Sequence, residues 1–363
     1  MTNISTEKLY PKMRLSQFIY PENNDAYMHF VKLENENGSI NKVPYLVSNH
    51  KQLIRLDQLD VHEDSFGGFT TLVEDKYMLP SGFQHYIPSN LAESTLQAKW
   101  VKEWQFGKIP EAKLHPKYIV NEIESAIRAV FHAEEEEYPV LALWVYATYF
   151  YTVFDKFPML SVHGKAGSGK STLNSVIDRF AFNSTYLYST SAASLYGLIS
   201  GYGGTFIFED IDKNSEAEQD FIINTILKGS YYTGAFIQKT HTDGYPVSFN
   251  VYGPKVVTAR MRHEYLTDRV LELETKEPSF ERLKHLMSVE QFEHTYEFDI
   301  NYLTSRAALS ALEQFHAVND AFKGEMIIQT SNGRIDEMVQ PLAAVAKVVG
   351  GKFLDKLINY VRN

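Results

Sequence analysis

The sequence predicts an α/β protein in which a phosphate-binding core is preceded by a strand-rich N-terminal accessory region and followed by a helical C-terminal region. Three observations predict it. Gly164-x-x-x-x-Gly169-Lys170-Ser171 lies between a short apolar run, Met159 to Val162, and a segment whose Leu173, Val176 and Ile177 make the apolar face of a helix. A second apolar run, Thr205 to Phe208, ends in the acids Glu209, Asp210 and Asp212. Beyond about residue 276 the apolar spacing is helical alone. The expected boundaries are 1–112 for the accessory domain, 113–276 for the core with its leading helices, and 277–363 for the C-terminal region.

Taken in order, Tyr27 to Leu33 and Val43 to Val47 flank Asn37-Gly38, whose tolerance of positive φ makes it a strong hairpin signal. Shorter pieces follow, punctuated by Gly67-Gly68 and Pro80-Ser81-Gly82, so the chain reads as strand and loop up to about residue 110. His29, His50, His62 and His85 lack metal-ligand spacing and read as ordinary histidines. From Pro116, suited to a first helical turn, Ile119, Ile123, Ala126, Ile127 and Val130 recur at helical spacing. Tyr138 to Phe154 is almost unbroken apolar and aromatic sequence. A membrane span needs about 20 such residues, and this run is shorter, carries Thr148 and Thr152, follows four glutamates and leads into the phosphate-loop strand. A buried helix is expected, and no membrane partner.

The phosphate loop names its ligand. Glycines let successive N–H groups of Gly164, Lys165, Ala166, Gly167, Ser168, Gly169, Lys170, Ser171 and Thr172 converge on phosphate oxygens. Lys170 supplies a point charge, and Ser171 can hold Mg²⁺ at a helix start whose dipole favours anions. ATP with Mg²⁺ is therefore the expected cofactor. At the acidic strand end one carboxylate belongs in the metal shell and its neighbour polarises the attacking water. The usual order there is Asp then Glu; here it is Glu209 then Asp210, so either residue fits either role.

Downstream, Thr233 to Val251 places two β-prone runs around a turn containing Asp243-Gly244, a hairpin with Lys239 and His241 at its tip. Another apolar strand, Val256-Val257, ends at Thr258 and Arg260, and Arg269 precedes one more strand-like run. In the C-terminal region Leu303, Ala307 and Ala311 form one helix face, and Met338, Leu342, Val345, Ala346 and Val349 another, before Gly350-Gly351.

The chain has 363 residues, 44% of them hydrophobic and 22% charged, which is ordinary for a globular protein able to bury a substantial core. With no cysteine there is no disulfide framework and no thiolate metal site. The N-terminus lacks the apolar core of a signal peptide, so a cytoplasmic location is expected, in a bacterial or phage-infected cytosol. A net charge of −10 means that any nucleic acid must be met by a local basic feature.

The order of these motifs resembles the helicase module of phage and plasmid primase-helicases and related AAA+ proteins of the superfamily 3 type. The resemblance runs from Trp144-Val-Tyr-Ala-Thr-Tyr149 through Gly164 to Thr172, Phe206 to Asp212, Gly253-Pro-Lys-Val-Val257 and Asp268-Arg269 to Arg334 and the segment ending at Ala346. It implies an ATP-dependent DNA helicase or translocase of phage or mobile-element replication. It also implies a homo-oligomeric ring, a hexamer, with ATP at subunit interfaces, single-stranded or forked DNA in the channel, and a primase or polymerase module as a further partner. Carried over by position, Lys239 and His241 contact DNA and Arg269 is an arginine finger acting in trans. Where family members carry a sensor asparagine this chain has Arg260, so the sensor role falls to Thr258 or Arg260. The rival readings are an AAA+ initiator or remodeller that does not unwind, and a small-molecule kinase using the same phosphate loop.

Overall fold

The computed structural model describes residues 17–20, 25–36, 39–55, 61–63, 69–73, 77–79, 96–187, 195, 198–199, 203–211, 222–234, 236–240, 246–262 and 269–362. Four antiparallel strands, β1 (Gln17–Tyr20), β2 (Asp25–Glu36), β3 (Ser39–Ser48) and β4 (Leu53–Arg55), pair in sequence order. The register Glu36↔Ser39 leaves a two-residue connection where Asn37-Gly38 stands, as the hairpin signal requires. A separate three-stranded meander comprises β5 (Val61–Glu63), β6 (Phe69–Val73) and β7 (Tyr77–Leu79).

Helix comes earlier than the sequence reading has it. Helix α1 (Ala98–Gln105) lies inside the stretch read as strand and loop, because Val101 and Trp104, three residues apart, both turn into the core and are 1% exposed. A short α2 (Glu111–Leu114) precedes α3 (Pro116–Val130), which starts with proline in its first turn and is capped by the His115 ring accepting from the Lys117 N–H at 3.2 Å. Ile119, Ile123, Ile127 and Val130 are buried as their spacing predicts.

The apolar run is buried helix: α4 (Glu137–Ala147) continues as a 3₁₀ turn, Thr148–Val153, and every residue from Tyr138 to Tyr151 is buried. Among the described residues no helix is long and apolar enough to cross a membrane. The aromatic polar atoms of this run are satisfied inside: Trp144 Nε1 donates to Pro158 O at 2.9 Å and Tyr149 Oη to Phe180 O at 2.8 Å.

The core is a five-stranded parallel sheet of β8 (Met159–His163), β9 (Thr185–Leu187), β10 (Phe206–Phe208), β13 (Lys255–Ala259) and β14 (Val270–Glu274), in the order β14-β8-β13-β10-β9. Both faces are covered. Leu160, Val162, Ile207, Val256, Leu271 and Leu273 join the main core, while Met159, Phe206, Phe208, Val257, Ala259 and Val270 join a second cluster on the other face. That is why these strands read as continuous apolar runs and not as alternating ones. Helix α5 (Lys170–Phe180) follows β8 directly. A π-helical turn, Ile222–Leu227, and one short helical turn lead to the hairpin of β11 (Phe236–Thr240) and β12 (Pro246–Asn250), anchored to the second cluster by Ile237 and Phe249.

The C-terminal region is helical throughout: α7 (Phe280–Leu283), numbered after the short turn α6 (Lys228–Ser230), then α8 (Val289–Lys323), α9 (Gly333–Val349) and α10 (Phe353–Arg362). A Ser288/Gln291 capping box opens α8, and Tyr296 (φ −121°, ψ 18°) kinks it. Helix α9 stops at Gly350, whose φ of +73° a side chain would strain.

Candidate active site

Met159 to His163 ends at the C-terminal edge of the sheet, and the chain turns there through the phosphate loop into α5. Gly169 caps the helix at φ +93° and Gly167 lies at +83°, both positions that favour glycine. Gly164 is demanded by space. A Cβ on it would meet Thr275 Oγ1 at 2.3 Å and Thr275 O at 2.7 Å. Thr275, just past β14, holds the loop from beside: its N–H donates to His163 O at 2.8 Å, and its hydroxyl lies 2.5 Å from that of Ser168. Ser168 in turn donates to Lys165 O at 2.8 Å. Sequence reading missed Thr275, since nothing local marks a threonine at a strand end.

Lys170 is buried, and its ammonium donates to Gly164 O at 2.7 Å and Lys165 O at 3.0 Å, so it lies beneath the loop it serves. Lys165, Ala166 and Gly167 are exposed at the loop's crest. Ser171, the first-turn residue of α5, donates from Oγ to Glu209 Oε1 at 2.5 Å. The contact exists because β10 and β8 are separated in the sheet by one strand alone, β13, and both end at the same edge.

The two acids are thereby distinguished. Glu209 faces Ser171, whereas Asp210 sits at φ +44°, in the left-handed region, with its N–H donating to Thr258 Oγ1 at 2.9 Å. Asp212 lies outside the described residues. A hydroxyl and a carboxylate that already meet at a helix N-terminus are hard oxygen ligands of the kind Mg²⁺ takes, with phosphate oxygens and water completing its shell. Among the described residues no group of three or more His, Cys, Asp or Glu side chains gathers to hold a metal alone. One or two protein ligands are what a nucleotide-bound Mg²⁺ requires.

Thr258 is fully buried in β13, level with Val162 of β8. Its hydroxyl accepts from Asp210 and lies 3.4 Å from Phe208 O and 3.5 Å from Asn174 Nδ2, which ties it to the underside of the acidic turn. Arg260 follows the same strand, exposed, at the loop edge of the sheet. Arg269 is not brought to this group. It precedes β14, its carbonyl accepts from the Met159 N–H at 3.0 Å, and its guanidinium donates to Lys228 O at 3.1 Å. That places it at the entry end of β8, about 13 Å of strand from the phosphate loop. Lys239 lies in β11 opposite Val247, and the register Thr240↔Pro246 closes the hairpin through residues 241–245. His241 lies outside the described residues.

Comparison with known protein-family profiles gives no match, and comparison with curated proteins gives none. Among solved structures the chain is similar to the SCCmec type IV Cch active helicase, at 12% identity and a TM-score of 0.39, covering 96% of this chain and 73% of that one. It is also similar to a full-length MCM homolog from Methanopyrus kandleri, at 11% identity and a TM-score of 0.41, covering 93% and 76%. The C-terminal region of NrS-1 is similar at 10% identity and a TM-score of 0.38, covering 85% and 70%.

Proposed function

We propose that this chain is an ATP-hydrolysing DNA translocase of the helicase kind, working as a ring of identical subunits. The observation that carries the ATPase part is the meeting of Ser171 with Glu209 at the mouth of a complete phosphate loop, with Asp210 beside them. In this reading Lys170 exchanges its loop carbonyls for the β and γ oxygens of ATP. Ser171 and Glu209 would hold Mg²⁺, which when bound neutralises charge on the transferred phosphoryl group. Asp210, turned by its left-handed backbone, orients and polarises the attacking water.

The DNA and ring parts rest on the order of motifs and are supported by two further features. The hairpin β11–β12, held to the second core cluster by Ile237 and Phe249, supports the DNA reading, in which Lys239 and His241 serve a strand in a channel. The strand length between Arg269 and its own phosphate loop supports a reading in which it serves a neighbour's nucleotide and not its own.

The test is ATP turnover with and without single-stranded DNA, run beside a sizing measurement. Expected are Mg²⁺-dependent hydrolysis lost on adding a chelator, stimulation by DNA, and a ring-sized species. Lys170→Ala removes turnover, by about 10³-fold or more, since the phosphoryl charge loses its main cationic partner. Mixing Arg269→Ala with Lys170→Ala subunits restores turnover at composite sites if Arg269 acts in trans. Near-normal hydrolysis in Lys170→Ala would sink the ATPase reading, and indifference to DNA would sink the translocase reading alone.

A further inference from the structure

Asn174 is fully buried on α5, three residues after Ser171 and on the stripe otherwise made by Leu173, Val176 and Ile177. Its amide reaches two other elements at once. Nδ2 lies 3.4 Å from Tyr186 Oη, on β9, and 3.5 Å from Thr258 Oγ1, on β13, while Oδ1 has no hydrogen-bond partner among the described residues. An unpaired buried amide oxygen is costly, and replacing it with an apolar side chain would remove that cost. Its place beneath the catalytic carboxylates is the reason to seek a function for it.

Thr258 is the next link. A hydroxyl has one hydrogen to give, and this one receives the Asp210 N–H at 2.9 Å while its own hydrogen goes toward Phe208 O at a long 3.4 Å. The network therefore holds one good hydrogen bond, several slack ones and one unused acceptor. Rotation of the Asn174 amide about its last side-chain bond would let Thr258 donate to Oδ1, trading a long bond to β10 for a bond to the helix that carries Ser171.

We infer that Asn174 is a positioning residue for hydrolysis, coupling the phosphate-loop helix through the Thr258 hydroxyl to the left-handed turn that aims Asp210. The inference rests on the ATPase reading above and adds to it a residue that touches neither nucleotide nor metal. Asn174 sets how far Ser171 and Asp210 stand from each other, and so whether metal ligand and water-polarising acid are in register. A displacement of about 1 Å in such a pair is enough to slow chemistry by about 10²-fold without changing ground-state binding.

The test uses the full chain. Asn174→Leu and Thr258→Val keep side-chain volume and remove the polar link; Thr258→Ser keeps the hydroxyl. Turnover, affinity for a fluorescent Mg²⁺–ATP analogue and the Mg²⁺ concentration for half-maximal rate are measured for each, together with Tm. Expected are a fall in kcat of about 10²-fold for Asn174→Leu and Thr258→Val, nucleotide affinity within about threefold of wild type, and a raised Mg²⁺ requirement. The double variant should be no slower than the slower single, since both cut one chain of contacts. Thr258→Ser should recover most of the rate lost in Thr258→Val. The inference is overturned by kcat within about twofold of wild type in both polar-link variants, by losses that follow nucleotide affinity or Tm, by fully additive losses, or by Thr258→Ser being as slow as Thr258→Val. A wild-type chain with no hydrolysis at all fails the ATPase reading itself, and takes this inference with it before any variant is compared.

Discussion

Single positions in the phosphate loop obey different constraints, although their sequence letters are the same. Gly167 has open space where a Cβ would go and a φ of +83°, so Gly167→Ala meets only the backbone preference, about 1–2 kcal/mol. Gly164 faces Thr275, whose backbone carbonyl would lie 2.7 Å from the new methyl and cannot swing away as a side-chain tip can. Gly164→Ala should therefore destabilise by a further ~1–3 kcal/mol and push the loop off its phosphate geometry. Thermal unfolding and titration with a fluorescent nucleotide check this: Gly164→Ala must lose more of both than Gly167→Ala. Equal losses would mean that Thr275 does not shape the loop.

Among the elements, α5 carries a burden at its far end as well as Lys170 and Ser171 at its near end. Asp178 sits in its last turn, where the helix dipole disfavours a negative charge. Burial raises its carboxyl above the ordinary aspartate value of 3.8, against the opposing hydrogen bond from Ser184 Oγ at 2.7 Å and the attraction of Arg179. A raised carboxyl binds its proton more tightly folded than unfolded. Its contribution to stability is thus fully present below the ordinary value and is lost as pH rises from there through the folded value. Asp178→Asn keeps an acceptor for Ser184 and never ionises. It should raise Tm at pH 7, with the gain shrinking toward pH 3; a gain independent of pH would remove ionisation as the cause.

Across the whole molecule one apolar core joins parts that lie far apart in the chain. Met28, Phe30 and Val47 of the N-terminal sheet, Trp104 of α1, the α3 and α4 helices and Leu357 of α10 belong to a single buried cluster. Trp104 is one tie between the first third and the last: its indole is 1% exposed and its Nε1 donates to Glu313 Oε1, on α8, at 2.6 Å. Parts that share one buried cluster are expected to open as one cooperative unit. Trp104→Ala should cost about 3–5 kcal/mol and lower one calorimetric transition without splitting it. A separate early transition in that variant would show that the N-terminal strands fold independently.

By itself the sequence determined whatever is decided within a few residues. The phosphate loop, the acidic strand end, the Asn37-Gly38 hairpin and the buried stripes of α3 and α9 are local patterns, and backbone preference and apolar spacing suffice to produce them. Helix α1 escaped that reading because its buried face is two residues, Val101 and Trp104, within an aromatic-rich stretch. Only the tertiary structure decided which groups meet at the site. Ser171 meets Glu209 across 38 residues and Asp210 meets Thr258 across 48, because sheet order brings β8, β13 and β10 side by side. Asn174 shows as no more than a polar interruption of an apolar face until Thr258 is found beside it. The identity of an acid is written in the chain, but its direction is set by a backbone turn that contacts from distant strands hold in place.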